Sequence, residues 1–299
     1  MKNSRTVPLF MLLCFFACGT AVLCRGAARQ IAAIKVRPGE SERIRLRSTD
    51  RLPGAGGEVR IQRKGGTTEI EVNLDAMKPA SLFGGDYNTY VLWAVPPGGP
   101  AENLGELELE GDRSSLHAGT GAQTFALLVT AEPHYLVTTP SAFTVLMNKP
   151  EPEAQTIEYQ VVEGVYHFER SSLSDVKEAK GKVHTEVRQA FTAVRLAQRA
   201  GAARLAPEEL GDAQQALDRT LELWRQRGDR LGIVRQARQT VRLALAAQHL
   251  AEGRAFQDVR KRISAEDILY NGKARINPVV APFVRTLEKY SPARKRITD

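Results

Sequence analysis

A chain of 299 residues with 42% hydrophobic and 25% charged side chains has the composition of a folded protein and enough length for about two domains. All three cysteines, Cys14, Cys18 and Cys24, precede position 25, so loss of the leading segment would exclude both a disulfide framework and a cysteine-based metal site. The net charge of +8 is unevenly placed: residues 29–174 hold 14 basic and 19 acidic side chains, residues 175–299 hold 25 and 15, and such asymmetry predicts different contact surfaces on the two halves.

Residues 1–28 read as a secretory signal segment. Lys2 and Arg5 make a basic start, Leu9–Cys24 is an apolar run, and Gly26, Ala27 and Ala28 supply a small-residue cleavage region. Charge, apolar helix and small site in that order are what the export machinery recognises. A cut after Ala28 puts the mature N-terminus near Arg29, and the expected location is the periplasm or cell envelope. An uncleaved anchor is a second reading, though 16 residues fall short of the ~20 a spanning helix needs. Lipidation at Cys18, which follows Ala17, is a third. Membrane contact is expected only through this segment, because no later apolar run has spanning length.

Residues 29–148 show period-two patterning broken by Gly, Pro, Asn and Asp, the pattern of an Ig-like antiparallel β-sandwich. The spacing predicts strands at Ala32–Val36, Glu58–Arg63, Thr68–Leu74, Thr89–Val95, Leu104–Leu109, Thr124–Ala131 and Ala142–Met147. Thr89–Val95 is apolar on both faces and is expected to be central, with Trp93 in the core rather than exposed as a sugar-stacking platform. Glu106, Glu108 and Glu110 alternate as a solvated strand face would. This domain is expected to fold without the rest of the chain.

Within it, Tyr90-Val91-Leu92-Trp93-Ala94-Val95, Asn103-Leu104-Gly105-Glu106, Ala126-Leu127-Leu128-Val129-Thr130-Ala131-Glu132-Pro133 and Thr139-Pro140-Ser141 follow in order. This series, about residues 87–147, resembles the extracytoplasmic β-sandwich of anti-sigma-K type factors. The resemblance implies the fold only. Those factors carry a sigma-binding helical domain before the membrane span, and here eight residues precede the apolar run.

Residues 149–173 read as a Pro/Glu linker with one strand-like stretch at Gln155–Phe168. From Ser174 the period becomes helical. The apolar stripes Val176-Ala179-Val183-Val187-Ala190-Val194-Ala197, then Leu210-Ala213-Leu217-Leu221-Trp224, then Leu231-Val234-Ala237-Val241-Ala244-Gln248-Ala251-Ala255 predict about three helices over 174–263, packed as an Ala-rich antiparallel bundle. Gly201 should end the first helix, Pro207 with Glu208 and Glu209 should open the second, and Gly228-Asp229 should separate it from the third. Residues 264–299 form a tail without a readable pattern. The segment from Gly201 through Ala206-Pro207-Glu208-Glu209-Leu210 to Ala213 and Leu217, within about 175–255, resembles an uncharacterised Ala-rich helical domain of bacterial envelope lipoproteins, which offers no catalytic residue to carry over.

The chain contains no nucleophile elbow, phosphate loop, His-Glu-x-x-His or dinucleotide fingerprint, so catalytic, cofactor-binding and metal-ligating residues are all expected to be absent. The histidines at 117, 134, 167, 184 and 249 are widely separated; His184 and His249 fall on different predicted helices. The candidate binding surface is Arg235, Arg238 and Arg242, a basic helix face suited to envelope proteins or anionic envelope polymers; export disfavours nucleic acid. The function expected is an exported, non-enzymatic envelope adaptor or scaffold. The alternative is an extracytoplasmic sensory or ligand-binding module linked to envelope signalling.

Overall fold

A computed structural model describes residues 25–149, 154–173 and 184–269. The chain divides after Gln189 into two compact units. The first is built of β1 (Arg25–Ala32), β2 (Ile34–Lys35), β3 (Ser41–Ser48), β4 (Gly56–Lys64), β5 (Thr67–Asp75), β6 (Thr89–Val95), β7 (Glu102–Glu106), β8 (Ser114–Thr120), β9 (Thr124–Glu132), β10 (Thr144–Asn148) and β11 (Thr156–Glu163). The main sheet runs β7-β6-β9-β10-β3-β4-β5-β8, with β2 also on β9, and its paired strands are antiparallel. It is nearly closed. The Thr120 hydroxyl on β8 donates to the Glu102 carboxylate on β7 over 2.6 Å.

β1 and β11 form a separate antiparallel pair, in register from Arg25↔Glu163 to Ala32↔Thr156. This pair explains why β6 is buried along its whole length. Tyr90, Leu92 and Ala94 face the interior with Val59, Ile61, Ile70, Val72, Phe125 and Leu127. Val91, Trp93 and Val95 face the other way, against Ala126 and Leu128 and beneath Ile31, Ile157, Tyr159 and Val161 of the β1–β11 pair. The apolar packing of this unit therefore runs past position 148. Asn148 joins the layers: it donates to the Ala32 carbonyl over 3.1 Å and accepts the Leu127 amide over 2.9 Å.

Three of the seven predicted strands are broken or shortened. Ala32–Val36 is two strands broken at Ala33, because β1 leaves for β11 while β2 stays on β9. The predicted Leu104–Leu109 is β7 at Glu102–Glu106. A register shift opposite Leu92/Trp93 and a positive φ at Gly105 turn the chain out of the ladder, and Leu107 drops into the core. The third, Ala142–Met147, begins two residues later, at a register shift beside Thr144. β3 and β8 lie outside the predicted strands. In β3 only Ile44 and Leu46 alternate with Arg43, Arg45 and Arg47, and β8 has Leu116 as its one large apolar side chain. Both are held by their neighbours more than by their own pattern.

After β11 the chain crosses back over one end of the sheet. Leu173 is fully buried in the interior, its amide donates to the Arg51 carbonyl, and the Glu169 and Arg170 amides both donate to the Phe83 carbonyl. Gly85 lies where this strap passes closest. Its φ is +66°, and a Cβ there would sit 2.2 Å from the His167 carbonyl oxygen, which accepts the Asp86 amide over 2.9 Å. Gly85→Ala is expected to cost about 2–5 kcal/mol, from the left-handed backbone and the displaced hydrogen bond. Urea unfolding of the two proteins checks this; a loss below about 1 kcal/mol would mean the strap yields without consequence.

The helices are α1 (Thr185–Arg199), α2 (Ala202–Leu205), α3 (Pro207–Arg225) and α4 (Arg230–Leu269). The expected start of the first helix at 174–183 lies outside the described residues. α1 begins in the last residues of the first unit; it buries Val187, Ala190, Ala193, Val194, Leu196 and Ala197. Gly201 takes the left-handed conformation that ends it. Pro207 opens α3 with Glu208 and Glu209 in its first turn, and Asp229 caps α4 by accepting the Leu231 and Gly232 amides, each over 2.9 Å.

α3 and α4 run antiparallel. Thr220 meets Thr240 near the connecting turn through a buried hydroxyl contact of 2.9 Å, while Arg254 donates to the Leu205 carbonyl at the far end. The buried stripes are Leu210-Ala213-Ala216-Leu217-Thr220 and Ile233-Ala237-Thr240-Val241-Ala244-Ala247-Ala251. Both are turned from the predicted ones. Leu221, Trp224, Val234 and Gln248 are only half-buried, and Leu231 is 70% exposed.

Candidate interaction surface

Arg235, Arg238 and Arg242 lie on α4 at spacings of three and four residues. At 3.6 residues per turn they share an arc of ~60° and ~10 Å of helix. That arc is opposite the buried Ala237-Ala244-Ala251 stripe. Arg235 and Arg242 are exposed and Arg238 is half-buried. The Arg242 guanidinium donates twice to Gln239 Oε1, at 2.7 and 3.2 Å, which ties it to the preceding turn of the same helix. The small alanines that seat α4 on its neighbour thus leave Arg235 and Arg242 to solvent.

The structure gives the other singled-out residues different surroundings. Gly26, Ala27 and Ala28 lie within β1, paired with Val162, Val161 and Gln160; a cut after Ala28 leaves Arg29–Ala32 as the paired strand. Trp93 is fully buried, and its Nε1–H donates to Thr130 Oγ1 over 2.8 Å, so it is no stacking platform. Glu108 and Glu110 are exposed, but Glu106 is half-buried and accepts the Thr89 hydroxyl over 2.7 Å. His134 is buried, and His117, His167 and His249 are exposed. Among the described residues no group of three or more His, Cys, Asp or Glu side chains is placed to hold a metal ion, and no helix is long and apolar enough to cross a membrane.

No family model, curated protein or solved structure matches the chain. The surface is therefore read from its own chemistry.

One residue whose surroundings were not anticipated is Glu132, at the end of β9. It is fully buried. Its Oε1 accepts the Ser141 amide over 2.7 Å and the Thr130 hydroxyl, while Oε2 has no hydrogen-bond partner. Burial pushes its carboxyl up to about 8, against the opposing pull of the Ser141 and Thr130 donors. The signal in the sequence is an acid that closes a strand apolar from Phe125 to Ala131 except at Thr130. Because the folded carboxyl holds its proton more tightly than the unfolded one, its contribution to stability is full below about 4.5 and is lost as pH rises through about 8.

Proposed function

We propose that the chain is an exported, non-enzymatic cell-envelope protein that acts as an adaptor or scaffold. In this reading the β unit is an Ig-like sandwich, related in fold to the extracytoplasmic domain of anti-sigma-K type factors. The helices make an Ala-rich antiparallel bundle of the envelope-lipoprotein kind. The observation that carries the reading is the exposure of Arg235 and Arg242 on the solvent side of α4. Guanidinium groups on one helix face suit carboxylate or phosphate groups on an envelope protein or anionic polymer. The interior of the β unit is filled by Tyr90, Phe83, Phe125, Phe143 and Leu92. That filling favours an adaptor over a sensor that encloses its ligand.

Replacing Arg235, Arg238 and Arg242 together by Gln is expected to abolish association with an envelope fraction while leaving helix content, read by circular dichroism, unchanged. Association of the unaltered chain should fall steeply once added salt brings the screening length below ~8 Å. If the triple variant stays bound at the unaltered level, the arginines are a solvated face and the adaptor reading fails.

A further inference from the structure

The surroundings of Glu132 reach beyond the strand that carries it. Trp93 Nε1–H donates to the Thr130 oxygen and the Thr130 hydroxyl donates to Glu132 Oε1. The Ser141 amide completes this chain of bonds across the loop 133–141. The β1–β11 pair rests on the same loop: the Val162 amide donates to the Pro140 carbonyl over 2.8 Å, and the Ala142 amide donates to the Val162 carbonyl over 2.9 Å. The carboxyl therefore ties together the outer face of β6 and β9, the loop and the pair that covers that face.

We propose that Glu132 is a pH-dependent latch that holds the β1–β11 pair over Val91, Trp93, Val95, Ala126 and Leu128 while its carboxyl is neutral, and loosens that pair when the carboxyl ionises. A neutral acid is tolerated in an apolar, fully buried position, whereas a carboxylate there has two donors on one oxygen and none on the other, and gains hydration by opening. The rise of its ionisation to about 8 places the change within reach of ordinary alkaline conditions. The neighbouring titratable groups do not neutralise it. Tyr87 is held neutral by burial and by Glu132 itself; Arg51 and Asp86 act on Tyr87. Tyr159, on the covering strand β11, is raised by burial and faces Arg29 of β1. His134 is buried two residues further on.

Amide hydrogen exchange of the full chain tests this, with each rate divided by its intrinsic base-catalysed value. Between pH 6 and 9 the Ser141, Ala142 and Val162 amides are expected to lose at least ~10-fold in protection, through an opening that urea accelerates less steeply than it does the amides of β4 and β5, because less surface is exposed than in global unfolding. In Glu132→Gln the same amides should show no such pH dependence. Thr130→Val removes one donor to the carboxylate and should move the change to higher pH, which keeps the proposal testable if the Gln variant does not fold. The proposal is overturned if protection is flat with pH, if Glu132→Gln behaves like the unaltered chain, if Thr130→Val leaves the midpoint in place, or if urea accelerates these amides as steeply as those of β4 and β5. None of these outcomes depends on where the chain resides or what it binds.

Discussion

A chain spanning residues 29–148 is expected to lose cooperative folding, while one spanning 29–173 keeps it. The shorter piece lacks Ile157, Tyr159 and Val161 of β11, which cover the outer face of β6 and β9, and Leu173, which is fully buried in the interior. Burial of an aliphatic or aromatic side chain stabilises by roughly 1.5–3 kcal/mol, so four of them contribute about 6–12 kcal/mol. A domain has only about 5–15 kcal/mol in total. The shorter fragment should also expose Val91, Trp93 and Val95 to water and bind apolar dyes. Circular dichroism and urea titration of the two fragments decide the matter. A sharp unfolding transition in the 29–148 fragment, matching that of 29–173, would show that β11 and the strap add nothing to the core.

Trp93→Ala is expected to cost ~3–5 kcal/mol, the range for removing a large aromatic side chain from a closed site. Trp93 is fully buried between β9 and the β1–β11 pair, and its loss also takes away the N–H that the Thr130 hydroxyl accepts. Trp93→Phe retains much of the volume but not that donor and should cost less. Denaturant unfolding of both variants measures this. A cost below about 1 kcal/mol for the alanine variant would mean that the covering pair collapses onto the vacated space. Trp224, by contrast, is only half-buried, so its truncation should be the milder of the two.

Much of the architecture was legible because it depends on local chemistry. Alternation alone marks β5, where Ile70, Val72 and Leu74 point inward between Glu69, Glu71 and Asn73. A two-sided apolar run marks β6 as central. Gly201, Pro207 and Asp229 punctuate the helices by backbone preference and capping, which act within a few residues. The arginine row on α4 was readable for the same reason: spacings of three and four residues place side chains on one face of a helix wherever that helix is packed.

The remainder was settled by contacts between distant parts of the chain. That β11 pairs with β1, at opposite ends of the β unit, follows from which strands are left to cover Trp93, and period-two patterning is silent about partners. β3 and β8 exist because neighbouring ladders accept their backbone groups, although their own apolar content is slight. The stripes are turned because Leu221, Trp224, Leu231 and Val234 draw the apolar pattern toward one flank, whereas Ala216, Thr220, Thr240 and Ala247 complete the face that is buried. Only the facing surface decides whether Thr220 and Thr240 or Leu221 and Val234 turn inward. The burial of Glu132 is of the same kind: the sequence by itself determined an acid at the end of an apolar strand, and only the closure of the loop 133–141 over it, with the β1–β11 pair above, decided that it lies out of water.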